Sequence, residues 1–136
     1  LGRQAVKIIA DTNLLIRVII EDDPRQAKAA QAALEAADTV AIGVTALCEL
    51  AWLMTQRYRL PERDVAEAIR MLLSSANVVI DQPVVEAGLA MLDSGGDFAD
   101  GVIAFEGHRL GGETFVSFDR EAVSVLKAGG FAARSP

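Results

Sequence analysis

One cysteine, one histidine, no long apolar run and a shortage of basic charge set the first bounds on this 136-residue sequence. The single Cys48 excludes an internal disulfide and a cysteine-based zinc site and fits a reducing compartment, so a cytoplasmic protein is expected. Cys48 itself reads as a small core residue on an apolar helix. The only histidine, His108, stands beside Arg109 near a predicted helix end and reads as solvated or helix-terminal. No serine, cysteine and histidine constellation for covalent catalysis exists. The apolar runs fall far short of the roughly 20 residues that a membrane-spanning helix needs, and the start shows no secretory leader pattern. Gly95-Gly96 and Gly111-Gly112 lack the ending of a phosphate-binding loop. A formal net charge of −6 argues against holding nucleic acid by bulk electrostatics. Cations gathered by clustered carboxylates would, however, cancel part of that charge locally.

What is present is an alternation of strand-like and helix-like segments, long enough for one domain with its own core. That domain is expected over residues 5–133. Leu1-Gly2-Arg3-Gln4, which opens without methionine, is set aside as a terminal remnant. The chain is organised around Lys7-Ile8-Ile9-Ala10-Asp11-Thr12-Asn13, an apolar run that ends abruptly in small polar residues. Such a run reads as a strand buried on both faces with Asp11 at its C-terminal end, where open α/β sheets place their ligands.

Leu14, Leu15, Val18 and Ile19 then repeat at helical spacing. Asp23 and Pro24 supply an N-cap and a first-turn proline for an alanine-rich helix running to about Ala37. Residues 39–44 form a second buried strand. Thr45 is a suitable cap for a helix over 46–57, with Glu49 in its first turn. Leu60-Pro61-Glu62 opens another helix, which ends near Ser74-Ser75, and a third strand covers 77–80. Asp81 caps a helix that closes at Gly95-Gly96, where a left-handed C-cap requires glycine. Asp97 caps the next, with Phe98, Val102, Ile103 and Phe105 spaced for burial and Asp100 one turn in. Residues 114–118 form a fourth strand ended by Asp119-Arg120, a last helix runs over 121–127, and residues 131–133 add a short edge strand. The alternation predicts an α/β/α sandwich around a central, mainly parallel sheet of four to five strands. In such a sheet the residues just after each strand share one edge. Asp11, Glu49 and Asp119 are such residues, and Asp97 and Asp100 begin a helix that can point back to the same edge.

Several carboxylates brought together without partners repel one another, and a hard divalent cation removes that cost. Mg²⁺ and Mn²⁺ prefer oxygen ligands and, in such a site, activate a water and polarise a phosphoryl group; phosphodiester hydrolysis follows from that chemistry. Each acid also has an ordinary role open to it. Asp23, Asp81 and Asp97 suit helix caps, and Asp11 and Asp119 suit turns. Glu49 is harder to explain away, because it lies among Ala46, Leu47, Leu50, Ala51, Trp52 and Leu53, where an unpaired buried carboxylate is costly.

The segments Ile9-Ala10-Asp11-Thr12-Asn13, Thr45-Ala46-Leu47-Cys48-Glu49-Leu50, Asp97-Phe98-Ala99-Asp100-Gly101-Val102-Ile103-Ala104 and Ser117-Phe118-Asp119-Arg120 resemble the four acidic motifs of PIN domains. Their order and spacing are similar to those of VapC-type toxins of bacterial toxin–antitoxin pairs. The resemblance implies an Mg²⁺- or Mn²⁺-dependent endoribonuclease on a PIN-like sandwich. It implies Asp11, Glu49, Asp100 and Asp119 as catalytic and metal-binding acids, with Asp97 accessory and with Thr12, Asn13 and Ser117 orienting the acids or the metal's waters. One departure is Gly101, where alanine is more usual; it is expected to weaken its helix slightly. The resemblance further implies an RNA substrate, a VapB-like antitoxin lying over the acidic groove, and a homodimer. The helices over 46–74, including Trp52, Leu53, Met54 and Tyr58, are candidate surfaces for both partners. Arg17, Arg57, Arg59 and Arg63 are candidate RNA contacts.

Two other readings stand beside this one. A PIN-like binding module would keep the acids without turnover, as a subunit of a toxin–antitoxin complex. Another Mg²⁺ phosphotransfer domain is disfavoured in its receiver form, since no lysine matches a late strand end; Lys127 lies inside the last helix. The full set of four acids favours the nuclease.

Overall fold

The computed structural model describes residues 2–136, and Leu1 lies outside them. Chain order runs β1 (Lys7–Ile9), α1 (Thr12–Ile19), α2 (Pro24–Ala36), β2 (Thr39–Ala41), α3 (Val44–Trp52), a π-helical turn (Leu53–Arg57), α4 (Glu62–Leu73), β3 (Val78–Val79), α5 (Gln82–Asp93), α6 (Phe98–Arg109), β4 (Phe115–Val116), α7 (Arg120–Ala128) and β5 (Ala133–Arg134). This is the expected mixed α/β architecture. No helix among the described residues is long and apolar enough to cross a membrane.

The parallel strands are divided between two sheets, β1-β2-β3 and β4-β5. β1 pairs with β2 in the register Lys7 to Thr39 and Ile9 to Ala41, and β2 pairs with β3. The backbone N–H groups of Phe115 and Ser117 donate to Ala132 and Arg134, so β4 spends its pairing on the β5 side. β1 is therefore an edge strand rather than one buried on both faces, and Ile9 is 86% exposed. The C-terminal unit has its own small core, in which Ala122, Val123 and Leu126 of α7 meet Met91 of α5 and Ala104 of α6. The main core joins Leu15, Val40, Ile42, Leu47, Leu50, Met54, Val65, Ile69, Val84 and Phe98.

Local chemistry explains most boundaries. Asp23 accepts from the Gln26 N–H with Pro24 at the start of α2, and Gly95 takes φ +84° just past α5. Asn77 donates to the carbonyls of Leu34 and Ala37 at the end of α2, tying β3 to that helix. Other boundaries move. α3 begins at Val44 with Gly43 as its cap, so Thr45 is in the first turn and Glu49 in the second. The helix expected to reach residue 57 turns π-helical at Leu53. Asp81 makes no capping bond and instead accepts from Arg109 at 3.3 Å. Ile103, expected to be buried, is 57% exposed, and Met54, expected on a partner surface, is fully buried. The terminal residues set aside include Arg3, which grips both oxygens of Asp38 at 2.6 and 2.8 Å.

Stability rests on the cores. Each large side chain that is fully buried contributes about 1.5–3 kcal/mol, whereas the five ion pairs among the described residues are all at the surface, where each is worth about 1 kcal/mol or less. The tightest packing joins α5 to α6. A Cβ on Gly101 would stand 2.5 Å from the Ala87 carbonyl oxygen and 2.9 Å from Met91 Cβ, and one on Gly88 would strike the buried Phe98 ring. Gly101 is thus required by close backbone approach, which corrects the expectation of a slightly weakened helix. Helix propensity alone gives Gly101→Ala a gain of about 1 kcal/mol. Because the obstacle is backbone, the substitution should instead cost about 1–3 kcal/mol, read as a lower urea midpoint with unchanged slope.

Candidate active site

The acids stand in two neighbouring groups. In the first, Asp11 follows β1 at the N-cap of α1, yet its side chain makes no capping bond. Its Oδ2 instead lies 3.5 Å from the Asn13 amide nitrogen, which donates to it. Thr12, the one buried polar residue among those described, donates from its hydroxyl to Glu49 Oε2 at 3.1 Å and to the Ala46 carbonyl at 3.4 Å. Glu49 is exposed rather than buried. α3 turns Leu47, Leu50 and Ala51 inward, while Thr45, Glu49 and Trp52, four and three residues apart, share its solvated face. The costly burial expected for Glu49 does not arise.

In the second group, Asp97, Asp100 and Asp119 line one cavity of about 210 Å³ together with Glu62, Glu121, Thr55, Gln56, Gly95, Gly96 and Ala122. Asp97 caps α6 by accepting from the Ala99 N–H at 3.1 Å. Asp119 caps α7, its Oδ1 accepting from the N–H groups of both Glu121 and Ala122 at 3.1 Å, and this leaves Oδ2 uncommitted. Ser117 Oγ in turn accepts from the Asp119 N–H at 3.0 Å, fixing the turn that presents the carboxylate. Asp100 is half-buried one turn into α6. Burial raises its carboxyl pKa, and the Asp97 and Asp119 carboxylates raise it further, to about 6.

Cys48 feels acids of both groups. Burial, followed by the fields of Asp97, Glu106 and Glu49, pushes its thiol up to about 11, so it stays protonated and inert. Asp11 and Glu49 do not line the cavity, and no three acids among the described residues converge tightly enough to hold one metal ion. The donor set nevertheless suits a hard cation. Every candidate ligand atom is a carboxylate oxygen, and no lysine or arginine among the described residues forms an ion pair with Asp11, Glu49, Asp97, Asp100 or Asp119.

Sequence reasoning overlooked Thr55, Gln56, Glu62 and Glu121 as cavity walls. Glu62 and Glu121 look like ordinary first-turn acids of α4 and α7. The π-helical turn that carries Thr55 and Gln56 leaves no mark in the apolar pattern.

With the geometry in place, comparison supplies the family. The PIN domain model matches residues 8–127, and the chain belongs to the PIN domain family, a nuclease fold whose members generally depend on divalent metal. Among curated proteins no match is found.

The raised Asp100 carboxyl has a measurable consequence for stability. Its usual value is 3.8, so in metal-free buffer the unfolded chain ionises first as pH rises, and the folded chain resists ionisation up to about pH 6. Its contribution to stability is therefore fully present below pH 4 and is lost through pH 6. Allowing for solvent screening of a half-exposed group, the loss is about 1 kcal/mol. Asp100→Asn should melt a few degrees above the wild type at pH 7.5 in EDTA, by about 3–5 °C, and the two should coincide near pH 4.

Proposed function

We propose that the chain is a metal-dependent endoribonuclease of the VapC toxin type, hydrolysing RNA phosphodiester bonds in the cytoplasm and neutralised by a VapB-like antitoxin. The observation that carries this reading is the cavity where Asp97, Asp100 and Asp119 meet without a cationic side chain, at a cost visible in the raised Asp100 carboxyl. Asp100 and Asp119 in the cavity, with Asp11 and Glu49 of the neighbouring pair moved in toward them, are the residues that would hold Mg²⁺ or Mn²⁺, and the ion would supply an activated water and charge stabilisation for the leaving oxygen of a phosphodiester.

The chain's own residues prepare that chemistry. Thr12 holds Glu49 through its hydroxyl, and Asn13 steadies Asp11. Ser117 and the first turn of α7 hold Asp119 with one oxygen free. Asp97 commits Oδ1 to its helix cap and adds negative field beside Asp100, which is the accessory part proposed for it. The four acids and these supports form the proposed site, within a single domain over residues 5–133.

A partner surface accompanies the site. An apolar groove of about 480 Å³ between α1, α2 and α4 is lined by Val18, Ile19, Leu34, Ala68, Met71 and Leu72, with Gln31 and Glu35 among its polar residues. In this reading the antitoxin lies over the acidic groove, and this apolar groove would take a further, apolar part of it. Trp52, 57% exposed, supplies further apolar surface for the antitoxin or a second copy of the chain.

Purified protein free of antitoxin should cleave total cellular RNA with Mg²⁺ or Mn²⁺ and stop on addition of EDTA. Asp11→Ala should remain folded and lose cleavage. Asp97→Asn keeps an acceptor for its cap and should retain most activity, whereas Asp100→Asn should lose at least about a hundredfold in kcat. Equal losses in the two variants would reverse the assigned roles. Absence of cleavage by the wild type with both metals would move the protein to the binding-module reading.

A further inference from the structure

The cavity that collects Asp97, Asp100 and Asp119 is almost devoid of hydrogen-bond donors. Glu62, Glu121 and the three aspartates contribute carboxyl groups, which offer acceptor oxygens. The Thr55 hydroxyl is spent on the carbonyls of Ala51 and Trp52 at 3.0 and 3.2 Å. The N–H groups of Gly95 and Gly96 donate to Leu92 and Met91, and those of Glu121 and Ala122 to Asp119. Among the side chains Gln56 is the exception. Its exposed carboxamide forms no hydrogen bond with the protein among the described residues, and it carries two donors and an acceptor.

The backbone brings it there by an unusual route. In the π-helical turn the Tyr58 N–H reaches back five residues to the Leu53 carbonyl at 3.1 Å. One extra residue in a turn rotates the downstream residues by about 100° from the α-helical register. Fully buried Met54 anchors the turn in the core while Thr55 and Gln56 meet the cavity. The exit is strained as well: Arg59 has φ +58°, a left-handed conformation rare for a residue with a side chain. Such departures from regular geometry gather at functional sites. Arg57, the last residue of the turn, and Arg59 just beyond it are both exposed and outside the ion pairs of the described residues, and they supply positive charge next to Gln56 in the sequence.

We propose that Gln56 is a substrate-contacting residue, presented by the π-helical turn so that its carboxamide donates to an acceptor on the RNA strand entering the cavity. The assignment rests on the nuclease reading above. A phosphodiester offers only acceptor oxygens, and unpaired bases offer acceptors on their edges. A wall of carboxylates can satisfy neither, so Gln56 sets how the strand sits and leaves the bond-breaking step to the acids.

The test uses the Mn²⁺-loaded protein on randomised short single-stranded RNAs, with steady-state kinetics on one well-cleaved sequence. Gln56→Leu should raise KM by about five- to tenfold with kcat within about twofold, and Gln56→Glu, which adds a charge facing phosphate, should raise it further. Binding of a labelled RNA to the Asp100→Asn protein, followed by fluorescence anisotropy, should weaken by a similar factor when Gln56→Leu is added. An altered cut-site preference would place the acceptor on a base, and a uniform loss over all sequences would place it on phosphate; either supports the proposal. Unchanged KM, affinity and cut sites in both variants would overturn it, as would a matching fall in thermal stability that accounts for the loss. A wild type that cleaves no RNA would overturn the nuclease reading and this proposal together. An active wild type with indifferent variants would overturn this proposal alone.

Discussion

The contact on which most of this structure depends is the approach of α6 to α5, where Gly101 lies against the Ala87 carbonyl and Gly88 against the Phe98 ring. Helix α6 takes part in both cores, through Phe98 and Val102 in one and Ala104 in the other. It also carries Asp97 at its N-cap and Asp100 on its first turn. The depth at which α6 settles therefore decides how near Asp100 comes to Asp119, which rides on the C-terminal unit seated against Met91 and Ala104. A methyl group at position 101 acts on the fold and on the acids at once, because packed interiors transmit displacement rather than absorb it.

Electrostatics opposes packing at the same place. Caps occupy one oxygen each of Asp97 and Asp119, and these bonds hold the carboxylates where they raise the proton affinity of Asp100. The arrangement is maintained by backbone N–H groups that would otherwise lack partners at helix ends. One set of aspartates thus serves as structural caps and as a reservoir of repulsion that a cation relieves. The two roles are not alternatives, although a reading of the sequence naturally weighs them as such.

Local signals made much of the fold legible. Asp23 with Pro24, the Gly95 turn and the apolar runs at β1 and β2 each specify a boundary through short-range chemistry, and the resemblance of the acidic segments matches the family found over residues 8–127. What escaped depends on contacts distant in sequence. The place of β1 at a sheet edge follows from β4 choosing β5, the exposure of Glu49 from which face of α3 meets the core, and the need for Gly101 from a carbonyl on another helix. The acids were readable as residue types in order. Their division into a pair near Thr12 and a trio around a cavity was not, because spacing along a chain says nothing of how far two helices stand apart.

The π-helical turn between α3 and α4 also bears on how such a protein diversifies. A turn of this kind is an α-helical turn that has taken in one more residue. Gain or loss of a single amino acid there is absorbed locally, between the helix bearing Glu49 and the helix opened by Glu62. A change of length there alters which side chains meet the cavity, so long as Met54 keeps its place in the core. The length of this segment thus governs which side chains face the acids, while the acids themselves are held by other elements.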